Sequence, residues 1–260
     1  MRRSLIALVA LTLVLAACGG GGTTSSTSSA STASASASHG PATSAAQAPS
    51  SSNPGSPPQT AFAYVPLWPF ASVAEAEQWQ RATGAGGHEP WRLDPGAVAV
   101  AFARQYLSFT EINRVVGQTV TAGQAHVTVG YTAGGTSGTA AVIHLVRMGS
   151  GAGQPWEVVG TDDTPTFTLT QPRYGSTVAG TITVGGHIAG VDESIRVTAR
   201  ALSGVVGSYC CVPAGASAPW SVRLQLARTQ PGRPVTIVAS TGGHVAAVER
   251  FTVTGVRSGS

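Results

Sequence analysis

Trp220, Val222, Leu224 and Leu226 alternate with Ser221, Arg223 and Gln225, the period of a strand with one buried and one wet face. Similar short runs rich in β-branched residues cover Phe167–Thr170, Thr181–Val184, Ile195–Arg200, Val235–Ala239 and Arg250–Thr254, with Gly, Pro, Asp and Ser between them. Six or seven strands in about 90 residues, with no helical period, predict an all-β sandwich over residues 164–257.

Residues 61–163 follow another pattern. Val65–Phe70 is an apolar lead-in with two prolines, and Ser72-Val-Ala-Glu75 has the form of a capping box opening a helix over Val73–Arg81. Gly84, Gly86 and Gly87 end that helix. Asp94-Pro95 supplies an N-cap and a first-turn proline, and Val98, Ala101, Phe102, Tyr106 and Phe109 fall on one face of a second helix. Alternation then returns in Ala125, Val127, Val129 and Tyr131. Further strands are predicted over Thr139–Arg147 and Pro155–Val159. Helices followed by antiparallel strands predict an α+β domain, in an element order similar to that of cone-shaped α+β folds.

No such period exists before residue 61. Two arginines precede an eleven-residue apolar run, Leu5–Leu15, which is shorter than the roughly 20 residues a membrane-spanning helix needs. Positive start, apolar middle and small-residue end predict a secretory signal over 1–17. Leu15-Ala-Ala-Cys18-Gly19 resembles the lipobox of bacterial lipoproteins, in which the cysteine is acylated and becomes the first mature residue. The alternative is an ordinary signal peptide with a cysteine at its cleavage site. Residues 19–60 carry no charge, no aromatic side chain and almost nothing apolar larger than alanine. Such a segment buries too little to order itself, and about 42 flexible residues span roughly 35 Å. The expectation is therefore an exported protein, lipid-anchored at the extracytoplasmic face of the membrane and held off it by a disordered tether over 18–60.

Gln171-Pro-Arg-Tyr-Gly-Ser-Thr-Val178, Ile182-Thr-Val-Gly-Gly186, Ala218-Pro-Trp-Ser-Val222 and Phe251-Thr-Val-Thr254 together resemble the immunoglobulin-like domain of bacterial spore-germination proteins. The resemblance implies a noncatalytic, extracytoplasmic accessory module often attached to lipoproteins. It does not imply that the organism forms spores, and the usual companion domain of that family is not evident in residues 61–163.

Charge and chemistry narrow the picture. All basic residues are arginine. Beyond the signal 13 of them, scattered along the chain, face 11 carboxylates, which lacks the clustered basic footprint of a nucleic-acid surface. G-x-S-x-G, H-E-x-x-H and phosphate-loop motifs are absent from the sequence, and nothing in it calls for a cofactor. The leading expectation is a binding or scaffolding module, not an enzyme, with the membrane and an envelope protein or cell-wall component as partners. The alternative is a ligand or enzymatic pocket in 61–163, between helices and sheet, lined by Trp68, Trp79, Trp91 and Trp156. A hairpin symmetric about Gly135 would put His126 opposite His144, within about 5 Å at Cβ, a candidate metal or proton-handling pair without a third ligand. Cys210 and Cys211 are adjacent, and neither C-x-x-C nor a second cysteine pair accompanies them. A vicinal disulfide in a rigid contact loop with Tyr209 and Val212 is favoured; free thiols and an intermolecular bond are the alternatives.

Overall fold

A computed structural model describes residues 62–83, 89–190, 193–215 and 217–260. The signal segment, Cys18, the tether and the glycines at 84–87 lie outside the described residues. Two short helices precede mainly β structure in several sheets, one of them curled into a half-barrel.

Helix α1 (Val73–Thr83) opens at the expected Ser72–Glu75 pair, with Glu75 reaching back one residue beyond the cap. Ser72 Oγ accepts the Glu75 N–H at 3.3 Å, while Glu75 Oε2 accepts the Ala71 N–H at 2.7 Å. A single 3-10 turn at Pro90–Leu93 leads to α2 (Pro95–Ala101), capped by Asp94 Oδ1 on Gly96 N–H (2.8 Å) and Ala97 N–H (3.2 Å). The expected run to Phe109 ends earlier. After Ala101 the backbone widens into a π turn over Phe102–Tyr106, where Leu107 N–H bonds to Phe102 C=O at 2.9 Å. The wider turn keeps Phe102 and Tyr106 facing the core.

Four antiparallel strands, β1 (Arg114–Thr121), β2 (Gln124–Ala133), β3 (Thr136–Arg147) and β4 (Trp156–Thr161), follow in the order β1-β2-β3-β4. β1 escaped the periodic reading because every one of its residues is exposed, so burial imposes no alternation on it. Seven more strands follow: β5 (Thr177–Val178), β6 (Thr181–Ala189), β7 (Ile195–Ala201), β8 (Gly204–Val212), β9 (Ser217–Gln225), β10 (Pro234–Thr241) and β11 (Arg250–Ser258). They form a five-stranded sheet, β5-β11-β10-β7-β8, and a two-stranded one, β6-β9. β5 runs parallel to β11, and the other pairs are antiparallel. Residues 166–171 extend the smaller sheet: Thr168 and Thr170 donate to the carbonyls of His187 and Gly185, both at 2.9 Å. A Cβ on Gly186 would lie 2.0 Å from the Thr168 carbonyl oxygen, so this approach requires glycine there.

Two apolar layers flank the five-stranded sheet. On one side Val197, Val235, Ile237 and Ala239 meet Val184, Ile188, Trp220 and Leu224 of the smaller sheet. On the other, Val238, Phe251 and Val253 join Val98, Phe102, Val127, Val129 and Trp156. β10 is consequently buried along its whole length, and its apolar run reads as a strand covered on both faces. The Thr236 hydroxyl, which belongs to the helix-side layer, lies 2.9 Å from the Tyr106 hydroxyl. The helical segment and the β-rich segment thus share a core, and the described residues cluster as one compact unit.

Candidate functional site

A cleft of about 460 Å³ opens where β3 and β4 meet the start of the β-rich segment. Buried Val159, Gly160, Leu169 and Val253 line its interior, and the exposed Asp163, Thr170 and Arg173 stand at its rim. Tyr64, His144 and Tyr174 complete the wall. Two of these are fixed by neighbours. The Tyr174 hydroxyl accepts the Val65 N–H at 2.7 Å, and burial pushes its pKa up to about 12. Tyr64 sets its ring edge to face against His144, with centroids 5.6 Å apart. Among the described residues neither Asp163 nor Arg173 takes part in an ion pair.

The hairpin register places His126 directly opposite His144. Their rings stack, centroids 4.5 Å apart and planes 12° apart. His126 Nδ1 lies 2.7 Å from Asp162 Oδ2, and His144 Nε2 lies 3.1 Å from Gln124 Oε1. The two are close as expected, though through a one-residue bulge between Val129 and Gly130 and not through symmetry about Gly135, and the metal option fails on geometry. Nitrogen lone pairs lie in the ring plane, so two nearly parallel rings 4.5 Å apart do not aim at one ion about 2.0–2.1 Å from each. Among the described residues no group of three or more His, Cys, Asp or Glu could hold a metal ion. Burial first, and then the neighbouring His126, hold the His144 pKa below its ordinary 6.5, with Asp162 acting in the opposite direction. Unfolded His144 therefore takes up a proton more readily than folded His144, so stability falls as pH drops through 6.5. Thermal melts of wild type and His144→Gln between about pH 5 and 8 should show a smaller acid-side fall for the variant. Equal falls would mean that His144 contributes nothing to the acid sensitivity.

Cys210 and Cys211 are joined as a disulfide across a cis peptide, with Cα atoms 3.1 Å apart. They sit not in a loop but near the end of β8, the outer strand of the five-stranded sheet. There the pairing slips between Ile195/Val197 and Val212/Tyr209, so two cysteines oppose one residue as a bulge. Both cysteines and Tyr209 are exposed. Val212 is not a contact residue: only 7% exposed, it packs with Ile195 and Trp220, because the bulge turns it inward after the exposed pair.

Of the tryptophans expected to line a pocket, Trp68, Trp79 and Trp156 are packing groups, whereas Trp91 also lines an open concavity of about 470 Å³ beside α2, with Ala97, Val100 and Arg104. Trp156 is buried against Arg147, whose guanidinium carbon lies 4.1 Å from its ring, and donates from Nε1 to Leu93 C=O at 3.2 Å. Trp68 stacks on Trp91 at 5.6 Å. Trp79 faces Phe70 at 6.1 Å. Arg92 lies over Phe70, Trp79 and Trp91 at 4.8, 5.7 and 5.3 Å and pairs with Glu89 at 2.8 Å. Behind them Glu157 is fully buried, accepting the Phe70 N–H on Oε2 at 3.1 Å while Oε1 has no protein partner. Burial pushes its carboxyl well above the ordinary value, against the opposing pull of the Phe70 and Trp68 backbone N–H groups and of Arg92, with Glu75 adding slightly to the rise.

Comparison of the chain with protein-family models, with curated proteins and with solved structures finds no match. The cleft escaped sequence reasoning because its lining comes from five separated stretches, around Tyr64, His144, Thr161, Arg173 and Val253. Asp163 reads as a turn residue and Arg173-Tyr174 as the entry to a strand. The signal that could have found it was an arginine–tyrosine pair in a Pro-Arg-Tyr-Gly turn, placed to present both side chains.

Proposed function

We propose that this chain is a noncatalytic cell-envelope lipoprotein, anchored through acylated Cys18 and displaying a rigid binding or scaffolding body outside the membrane. The observation that carries the noncatalytic reading is the interior between α2 and the β1–β4 sheet. Val98, Phe102, Tyr106, Val127 and Trp156 fill it, in the place where the alternative reading puts a ligand or enzymatic pocket. The anchor rests on the Leu15-Ala-Ala-Cys18 segment and the uncharged tether that follows it. The β-rich segment is read as an immunoglobulin-like sandwich of the spore-germination type. Supporting this is the division of its first stretch between two sheets: residues 166–171 bond to β6, while β5 runs parallel to the last strand, β11.

Metabolic labelling with an alkyne analogue of palmitate tests the anchor. The full-length protein should take up the label, and Cys18→Ala should take up none. An unlabelled wild-type chain, isolated from a bacterium whose other lipoproteins are labelled, would sink the proposal.

A further inference from the structure

We propose that the cleft between Tyr64 and Tyr174 is a saccharide site whose ligand is a chain of N-acetylated hexosamines. The inference rests on the envelope-binding reading above and supplies a ligand class for it. Its first support is the balance of charge. One carboxylate, Asp163, and one guanidinium, Arg173, line the cleft, and neither is in an ion pair among the described residues. A ligand of one strong charge would meet its like as well as its opposite there. A neutral ligand made of groups that both donate and accept fits better. A carboxylate only accepts, a guanidinium only donates, and a hydroxyl does both, so neighbouring sugar hydroxyls can answer Asp163 and Arg173 together.

The second support is a small apolar floor, where Val159, Leu169 and Val253 show only 2, 7 and 3% of their surface, a patch that a single methyl group can cover. A bare polyol would leave that surface wet, whereas an acetamido methyl can cover it and release its water. The two tyrosines add ring surface for the C–H faces of a pyranose, and Tyr174 is 44% exposed. The third support is preorganisation. Val65 N–H holds the Tyr174 hydroxyl, and Gln124 and the Tyr64 ring hold His144, so these walls are already fixed and the ordering cost of binding falls on Asp163 and Arg173. The volume of about 460 Å³ lies within the range of small-molecule sites, and the exposed rim lets the rest of a polymer leave the cleft.

Isothermal titration calorimetry on the full-length protein in detergent tests this. The probes are the β-1,4-linked pentamer of N-acetylglucosamine, the glucose pentamer of the same linkage, and tri-alanine. The acetylated pentamer should bind with a dissociation constant of about 1 mM or below, and the glucose pentamer at least ~10-fold more weakly. Arg173→Ala and Asp163→Asn should each weaken the acetylated pentamer roughly 10-fold or more, as expected for losing a charged hydrogen bond. Arg228→Ala, which removes a surface arginine lining a different concavity, should leave binding unchanged. All three exposed substitutions should keep the wild-type melting curve.

No heat with the acetylated pentamer, binding indifferent to both cleft substitutions, or Arg173-dependent binding of tri-alanine alone would each overturn the saccharide assignment. The acetylated pentamer is recovered afterwards and sized. Recovery intact after binding agrees with both proposals, and cleavage would overturn the noncatalytic one. A protein that carries the palmitate label yet ignores the saccharide would lose this assignment and keep its anchor.

Discussion

Phe251→Ala should destabilise the protein by about 3–5 kcal/mol, the range for removing a buried aromatic side chain, and should do so for the whole described body at once. Phe251 lies on β11 and is buried. It meets Phe109 edge to face at 5.3 Å and packs in the layer formed with α2 and the β1–β4 sheet. Its strand neighbour Thr252 is also buried, and further along β11 Val256 packs in the opposite layer. A cavity at Phe251 therefore loosens the sheet that both cores use. Tryptophan emission reports mostly on the helical side, which carries Trp68, Trp79, Trp91 and Trp156, and far-UV dichroism mostly on the strands. Both signals should move to the same lower midpoint in urea, as one cooperative transition requires. Separate midpoints, with the far-UV one unshifted, would show that the two layers unfold independently.

Glu157→Gln should stabilise the protein in neutral and mildly alkaline medium while doing nothing, or slight harm, near pH 4. The buried carboxyl holds its proton more tightly in the folded chain than in the unfolded one, because burial raises its pKa above the ordinary 4.5. Wild-type stability from this group is thus fully present below 4.5 and drains away as pH rises through the folded value. The limiting slope is ~1.4 kcal/mol per pH unit. Glutamine keeps an acceptor for the Phe70 N–H and has no proton to lose, so the variant's profile should be flat where the wild type falls. Its amide nitrogen inherits the position at which Glu157 Oε1 lacks a partner, which explains why nothing is gained in acid. Glu157→Ala instead leaves the Phe70 N–H unsatisfied beside a cavity and should be destabilising at every pH. Urea midpoints between about pH 4 and 8 check the series. Parallel profiles for wild type and Glu157→Gln would mean that the side chain is already ionised in the folded state.

The elements legible in the sequence were those whose burial is one-sided. β9 shows its alternation because Trp220 and Leu224 face one apolar layer while Ser221, Arg223 and Gln225 face water. β10 was legible as a strand, but its neighbours were not. Nothing local says that Val238 and Val235 face different cores, because a run covered on both sides looks the same whatever covers it. β1 and β8 were missed for the opposite reason: with exposed residues throughout one and along most of the other, the hydrophobic pattern carries little information. The expected symmetry about Gly135 gave the right pair for the wrong reason, since the turn sets Ala133 opposite Thr136 and a bulge between Val129 and Gly130 brings His126 opposite His144. The stacking that spoils the pair for a metal is a matter of side-chain rotation. The cleft depended on long-range packing, above all on Tyr174 reaching back 109 residues to the Val65 backbone.

The way the chain enters the body has a mechanical consequence. The Leu67 N–H bonds to the Val158 carbonyl at 2.9 Å, the Val158 N–H bonds to the Trp68 carbonyl at 2.8 Å, and the Val65 N–H is held by Tyr174. In an anchored protein, tension between the lipid and a bound partner would arrive along residues 62–68 and fall on these bonds together. The entry segment would act as a clamp, with Val65–Trp68 as the first place to yield. Because Tyr174 is both part of that clamp and a wall of the cleft, a load strong enough to free Val65 would also loosen the grip on whatever the cleft holds.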